Sequence, residues 1–167
     1  MSDATPKIAI VCYSKTGHSW NVAERLALVL DAQLFALQTQ RYNFPYFGYI
    51  RAGFDSLRGA PTPLKHPLPD IKNDDAVIIC GPVWTSYPAV PLISYLQQEP
   101  RLPRVVGLML TCGDHSPPEK AYAMAEQEFG RPFVAKGAIS NNLEDQPEAD
   151  ARIKEFASAI KDALTAK

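Results

Sequence analysis

The chain has 167 residues, 46% of them hydrophobic, and a formal net charge of −1 at pH 7. This length and composition predict one globular domain over residues 1–167, and the near-zero charge argues against nucleic acid or an anionic membrane as a partner. No segment approaches the roughly 20 apolar residues of a membrane span, and the first seven residues lack a signal-peptide core, so we expect a cytoplasmic protein.

Apolar runs and segments with helical periodicity alternate along the chain. Five apolar runs predict strands, at 7–12, 33–37, 76–80, 105–110 and 133–139. Four segments predict connecting helices, at 17–31, 88–98, 116 to about 130, and 149–165. In the first helix the spacing predicts one inward apolar stripe, made of Val22, Leu26, Val29 and Leu30.

Buried strands joined by helices predict a parallel sheet with helices on both faces. Five such strands predict a three-layer, doubly wound α/β domain. In this architecture, ligands bind beyond the carboxyl ends of the strands, where the strand order reverses. The candidate loops therefore follow the first, third and fourth predicted strands, at 13–19, 81–88 and 111–118.

One long segment, 38–75, joins the second and third predicted strands. It is longer than most connections of this kind. Residues 47–59 place Tyr49, Phe54 and Leu57 close to helical spacing, which predicts an extra amphipathic helix. We interpret it as a lid over the edge of the core, followed by an extended stretch at 61–69.

The first loop combines three hydroxyl side chains with a glycine at the mouth of a predicted helix. Helix N-termini carry unpaired N–H groups and about half a positive charge, so they bind phosphate readily. Ser14, Thr16 and Ser19 can donate hydrogen bonds, and Gly17 lets the backbone approach an oxyanion closely. Ordinary N-capping explains one such hydroxyl but not three, so the pattern favours a phosphate site.

Other phosphate-binding and metal-binding motifs are absent from the sequence. The loop lacks the glycines of the mononucleotide and dinucleotide motifs, and His18 stands where a cysteine phosphatase loop starting at Cys12 would have arginine. The first strand does not end in the acidic residues of a receiver domain. The cysteines and histidines are too widely spaced for a zinc site or a disulfide framework, so we assign no metal.

Three segments resemble the loops of the flavodoxin family, and the resemblance covers nearly the whole chain. Ser14-Lys15-Thr16-Gly17-His18-Ser19 resembles the loop that holds the 5′-phosphate of FMN. Gly81-Pro82-Val83-Trp84-Thr85-Ser86-Tyr87-Pro88 resembles the second flavin loop, and Thr111-Cys112-Gly113-Asp114 resembles the third. Because the fifth predicted strand has no long insertion, the chain resembles the short-chain type. The resemblance implies strand order 2-1-3-4-5 and FMN as the cofactor.

The resemblance also implies the residues that hold FMN. Those on the phosphate side are Ser14, Lys15, Thr16, Gly17, His18 and Ser19. Those around the ring are Pro82, Val83, Trp84, Thr85, Ser86, Tyr87, Thr111, Cys112, Gly113 and Asp114. Either Trp84 or Tyr87 is expected to stack on the isoalloxazine. The Asp114 carboxylate is expected to disfavour the anionic hydroquinone and so lower the flavin potential, a hypothesis that Asp114→Asn would test.

The sequence leaves the role of the flavin open between three alternatives. The first, slightly favoured, is an electron carrier serving a redox partner protein. The second is an NAD(P)H-dependent reductase of a small quinone, azo or nitro acceptor, and the third is a non-catalytic flavin-binding sensor. Carrier flavodoxins are strongly acidic, whereas this chain is nearly neutral, which leaves docking to a basic reductase in doubt. No catalytic side chain is assigned, because transfer to or from a flavin requires none, and the oligomeric state stays open.

Overall fold

The computed structural model describes residues 5–44, 47–98, 100–113 and 117–166, apart from the side chain of Tyr49. Within these ranges the strands are β1 (Ile8–Cys12), β2 (Gln33–Ala36), β3 (Ala76–Trp84), β4 (Tyr87–Pro88), β5 (Val105–Cys112) and β6 (Ala135–Ser140). The helices are α1 (His18–Leu30), α2 (Phe47–Arg58), α3 (Val90–Gln97), α4 (Glu119–Phe129) and α5 (Pro147–Thr165). None of these helices is long and apolar enough to span a lipid bilayer.

Five strands form a parallel sheet in the order β2-β1-β3-β5-β6. The predicted fourth and fifth strands are β5 and β6, so the predicted doubly wound order is confirmed. The remaining strand, β4, has two residues and pairs antiparallel with the end of β3. This short hairpin was not predicted.

Two apolar layers cover the two faces of the sheet. Helices α1 and α5 pack on one face through Val22, Leu26, Ile153, Phe156 and Ile160. Helices α3 and α4 pack on the other through Leu92, Tyr95, Ala121 and Ala125. Side chains alternate along β1, with Ile8 and Ile10 facing the first layer and Ala9 and Val11 facing the second. The predicted three-layer arrangement is therefore confirmed.

The observed elements differ from the predicted ones in a few places. Val29 is 39% exposed, so its predicted place on the inward stripe of α1 is wrong. The helix instead turns Val22, Leu26 and Leu30 toward the sheet, and Val29 lies about 100° round the helix from Leu30. Helix α4 begins at Glu119, after the predicted start at Ser116, which lies outside the described residues.

The central strands are longer than the apolar runs that predicted them. β3 continues four residues past Cys80 because it pairs with β5 as far as Pro82 and then with β4 through Val83 and Trp84. β5 likewise continues past Leu110 to Cys112. Eight residues that the sequence placed in flavin loops therefore belong to strands. They are Gly81, Pro82, Val83 and Trp84 of β3, Tyr87 and Pro88 of β4, and Thr111 and Cys112 of β5.

Candidate functional site

The first loop connects β1 to α1 and leaves a gap in front of its glycine. Gly17 is the N-cap of α1 and has φ 98°, a backbone conformation that favours glycine. A Cβ built on Gly17 would meet no atom within 4 Å among the residues that the structure describes. The Gly17 N–H donates a hydrogen bond to Ser14 Oγ, at 3.1 Å, which curls the loop. The outer side of the loop is thus open to a ligand.

Within the described part of the chain, no side chain caps the N-terminus of α1, even though hydroxyl residues precede it. Helix geometry leaves the first N–H groups without intrahelical partners. Thr16 lies exposed beside them, and Ser14 is half-buried. Ordinary capping therefore does not account for these hydroxyls, and the helix start keeps its positive end available for an anion.

The third hydroxyl of the first loop points into the protein. Ser19 Oγ lies 2.6 Å from Thr111 Oγ1 of β5, and both residues are only 2% exposed. The two hydroxyls satisfy each other in the interior, where an unpaired polar group would be costly. They join the start of α1 to β5 and support the loop from beneath.

A buried carboxylate anchors the other side of the loop. His18 Nδ1 lies 2.5 Å from Oε2 of Glu144, which is 8% exposed. The Asn21 side-chain amide donates to the same carboxylate, and Arg25 donates to the Glu144 backbone carbonyl at 2.6 Å. Glu144 was not among the predicted site residues, because its polar sequence neighbours do not distinguish a buried carboxylate from a solvated one.

The long insert also reaches the first loop. Lys15 Nζ donates a hydrogen bond to the backbone carbonyl of Tyr42. The Tyr42 hydroxyl donates to Asp55 Oδ2 of α2 at 3.0 Å, and Arg41 Nε donates to the same oxygen at 2.7 Å. We call Lys15, Arg41, Tyr42 and Asp55 the insert network. It joins the candidate phosphate-binding loop to α2 through the buried carboxylate of Asp55.

Electrostatics support the insert network. Hydrogen bonding from the Arg41 guanidinium is the main cause that holds the pKa of Asp55 below its usual range, although burial opposes it. Burial and the Asp55 partner raise the pKa of Tyr42 to about 12. At neutral pH the carboxylate is therefore ionised and the phenol is protonated, which is the combination that lets Tyr42 donate.

The second loop is a tight hairpin between β3 and β4. Its turn residues Thr85 and Ser86 have φ 49° and 70°, a region that non-glycine residues seldom occupy. The Trp84 carbonyl accepts hydrogen bonds from Ser56 Oγ of α2, at 2.9 Å, and from Thr85 Oγ1, at 2.8 Å. Tyr87 lies directly opposite Trp84, so the two side chains share one side of the hairpin.

Aromatic rings surround Trp84. Its ring is nearly perpendicular to Tyr13, with centroids 5.6 Å apart, and to Tyr42, with centroids 5.1 Å apart. These contacts join the first loop, the second loop and the insert. Tyr87 is half-buried, and no aromatic contact to it is found among the described residues.

The third loop begins where β5 ends. Gly113 is exposed, and a Cβ there would meet no atom of the described residues within 4 Å. Cys112 is nearly buried, with Sγ 3.9 Å from the Ile139 carbonyl, and Val83 of the neighbouring strand is a core residue. Asp114 lies outside the described residues, so its predicted role stays a prediction.

The fold brings the three predicted loops to one edge of the sheet. The first and second are linked by the Tyr13 N–H to Cys80 carbonyl bond, at 3.0 Å, and by the Tyr13–Trp84 contact. The first and third are linked by Ser19 and Thr111. A cleft of about 390 Å³ opens beside the first loop, between Lys15 and Lys65, on the β2 side. The contribution of the segment after β2 to this edge was not predicted from the sequence.

Neither a protein-family model nor a curated protein matches the sequence, but solved structures do. A Lactobacillus acidophilus flavoprotein in complex with FMN is 21% identical, with TM-score 0.68 over 88% of this chain and 98% of that one. A short-chain flavodoxin associated with a PDU bacterial microcompartment is 14% identical, with TM-score 0.56 over 95% and 99%. An NAD(P)H:quinone oxidoreductase from Methanothermobacter marburgensis is 13% identical, with TM-score 0.53 over 97% and 98%. With these similarities and its strand order, the chain has the flavodoxin-like fold that its motifs predicted.

Proposed function

We propose that this protein binds FMN at the carboxyl ends of β1, β3 and β5 and transfers electrons through the bound flavin. The observation that carries the proposal is the first loop. There α1 starts without a cap from any described side chain, behind an open glycine and beside the hydroxyls of Ser14 and Thr16. The similarity to a flavoprotein that holds FMN, over most of both chains, supports the same cofactor.

The first loop fits a phosphate group. Thr16 and Ser14 supply hydroxyl donors, and the first N–H groups of α1 supply backbone donors aligned with the helix dipole. Lys15 adds positive charge close by, although its ammonium also binds the Tyr42 carbonyl. Ser19 and His18 support the loop without facing the proposed phosphate. Ser19 attaches α1 to β5, and His18 attaches it to Glu144.

The second and third loops fit the flat ring. Trp84 is packed among Tyr13 and Tyr42, so we propose that Tyr87, its cross-strand neighbour, is the residue that stacks on the isoalloxazine. Thr85 and Ser86 present backbone groups at the tip of the hairpin, and Gly113 leaves room for the ring edge. Asp114 is proposed to lower the flavin potential through its charge.

Bound FMN would supply the one- and two-electron chemistry, while the protein would set binding, access and potential. We favour electron exchange with a redox partner protein. The NAD(P)H-dependent reductase remains the second candidate, because the fold is also that of an NAD(P)H:quinone oxidoreductase. The carrier and the reductase differ in the donor that reaches the flavin and in the acceptor that the flavin reduces.

The first test compares FMN with riboflavin, which lacks the phosphate. Purified protein should be yellow and release FMN on heating, and quenching of flavin fluorescence should report the affinity of the refilled protein. Thr16→Val should weaken FMN binding about tenfold, the loss expected for a hydrogen bond to a charged group, and leave riboflavin binding unchanged. Ser158→Ala, an exposed hydroxyl on α5, is the control.

Either of two results would count against the site. A colourless protein that takes up no added FMN would reject the cofactor. Equal losses of FMN and riboflavin affinity in Thr16→Val would reject the phosphate assignment.

A second test separates the two candidate donors. Turnover of NADPH with a soluble quinone by the purified protein would favour the reductase. Reduction only when a partner reductase is added would favour the carrier.

A further inference from the structure

Helix α2 is inverted relative to an ordinary surface helix. Four large apolar side chains point outward and are 58–81% exposed: Phe47, Ile50, Phe54 and Leu57. The buried side of the helix carries small or polar residues: Gly48, Ala52, Asp55 and Ser56. The four outward positions are spaced three, four and three residues apart, so they form one line along the helix. We call this line the α2 stripe.

The α2 stripe is large enough to be an interface. With Phe44, which is 72% exposed and lies just before the helix, it presents roughly 600 Å² of apolar surface, since each large side chain covers on the order of 150–250 Å² when fully buried. The largest apolar patch on a typical monomer is about 300–600 Å² and is often functional, so the stripe lies at the upper end of that range. A standard interface buries about 800 Å² on each partner, so the stripe supplies most of one.

The order of residues in the stripe suits pairing with itself. We propose that the α2 stripe is a homodimer interface, in which the α2 helices of two copies lie antiparallel. The twofold axis crosses the stripe halfway along the helix, at the level of Ala52. Because the spacing is the same when read from either end, Phe47 meets Leu57 of the second copy and Ile50 meets Phe54. This self-complementarity is what a twofold interface requires.

Charges at the rim give the dimer a characteristic salt dependence. Arg51 and Arg58 flank the same side of the stripe; Arg51 lies 4.0 Å from Asp55, and the Arg58 guanidinium lies 5.7 Å from the centre of the Phe54 ring. In an antiparallel twofold pair, this flank of one α2 helix lies beside the same flank of the other. The two arginines of each copy therefore gather at one rim of the interface, four in all. Their repulsion is screened by salt, so the dimer should tighten as ionic strength rises. Binding to an anionic membrane would weaken instead.

Analytical ultracentrifugation of the full chain tests the proposal at about 50 mM and about 500 mM salt. The wild type should dimerise, more tightly at high salt. Phe54→Glu should weaken dimerisation at least thirtyfold, the size of an interface hot spot. The control is Leu28→Glu, which places the same charge at an apolar residue of α1 that is 84% exposed, and it should dimerise like the wild type. Circular dichroism verifies that both variants are folded.

A cross-linking test examines the antiparallel register. The three native cysteines are buried, so an introduced thiol on α2 reacts selectively. When Ile50→Cys and Phe54→Cys chains are mixed and oxidised with diamide, which accepts the two electrons and two protons released, the mixed disulfide should form in preference to either homodimer. Preferential linkage of Ile50→Cys chains to each other would overturn the antiparallel register.

Three results would overturn the interface itself. The first is a monomeric wild type at about 100 μM protein, a concentration at which even a weak micromolar dimer forms. The second is a dimer that Phe54→Glu leaves intact. The third is binding of a monomeric protein to phosphatidylserine-containing vesicles through the stripe, lost at high salt. Because none of these measurements involves flavin, failure of the dimer would leave the FMN proposal standing, and the reverse also holds.

Discussion

Helices α1 and α2 both border the candidate site, yet they attach to the protein by opposite means. Helix α1 buries Val22, Leu26 and Leu30 against the sheet. Helix α2 buries small and polar residues and exposes its large apolar ones. Buried apolar area thus holds α1 in place. Polar contacts hold α2: those of Asp55 with its partners in the insert network, and the hydrogen bond from Ser56 to the Trp84 carbonyl.

This difference has a consequence for stability. Apolar burial is spread over many contacts, so α1 belongs to the cooperative core of the domain. A few polar contacts around one carboxylate are specific in direction but are lost together when that carboxylate is removed. We therefore expect α2 and the rest of the insert to open locally, while α1 opens only on global unfolding.

Removing a core side chain of α1 should have the largest effect. Leu26 is fully buried, so Leu26→Ala should lower the free energy of global unfolding by about 2–5 kcal/mol. Urea denaturation followed by circular dichroism measures this change. A loss below about 1 kcal/mol would show that α1 is not part of the cooperative core.

Removing the acid of the insert network should have the next largest effect. Asp55→Ala leaves the buried Tyr42 hydroxyl and the Arg41 guanidinium without their partner, which costs about 1–3 kcal/mol. The change should be seen in hydrogen exchange of residues 39–60 more than in global unfolding. Glu148→Ala, which breaks an exposed ion pair with Arg152, is the control and should stay within about 0.5 kcal/mol. Uniform acceleration of exchange throughout the protein would contradict local opening.

Acid should loosen the insert through the same residue. The folded-state pKa of Asp55 is lowered, chiefly by Arg41, so ionised Asp55 stabilises the fold above the ordinary carboxyl pKa, and this stabilisation is lost as the pH falls through the folded pKa. Protease cleavage of the insert should therefore rise below about pH 4. Asp55→Asn should flatten this rise, and an unchanged pH profile would assign it to other carboxyls.

Relieving the strained turn should have a smaller effect of opposite sign. Ser86 has φ 70°, and glycine adopts this conformation without a steric penalty. Ser86→Gly should therefore raise the free energy of unfolding by up to about 1 kcal/mol. Ser158→Gly, within α5, should lower it by about 0.5 kcal/mol, the difference between serine and glycine in helix propensity. If both substitutions destabilised equally, the turn would not be strained. Thermal denaturation compares them.

Truncating the α2 stripe should have the smallest effect on the monomer. Phe54 is 58% exposed, so Phe54→Ala at high dilution should change the free energy of unfolding by less than about 0.5 kcal/mol. The contrast with Leu26→Ala is the direct measure of the difference between the two helices. An effect of about 3 kcal/mol or more, the scale of a buried aromatic side chain, would place Phe54 in the core.

Much of the fold follows from local pattern. Alternating apolar runs and helical periods predicted five parallel strands and the three loops at one edge of the sheet. The family resemblance supplied the order of the strands. Prediction was weakest where elements end. The apolar run of β3 stops at Cys80, but pairing with β4 and β5 carries the strand to Trp84, and such pairing depends on residues that the run does not contain.

The site was predictable in outline but not in the fate of each side chain. Hydroxyls at the mouth of α1 were visible in the sequence, yet Ser14 curls the loop, Thr16 faces solvent, and Ser19 is buried against Thr111. Their residue type is the same, so only the surroundings distinguish them. Glu144 and Asp55 were not predicted either, because the burial of an acid depends on partners elsewhere in the chain.

By itself, the sequence determined the class of the fold and the position of the candidate loops, because periodicity and strand-ending polar residues are local properties. The tertiary structure decided which groups meet: Ser19 with Thr111, 92 residues apart, His18 with Glu144, 126 apart, and Lys15 with Tyr42, 27 apart. It also decided that α2 turns its apolar side outward. The helical period fixes which residues share a face, but the surfaces available for packing, and the polar partners that must be satisfied, select which face is buried.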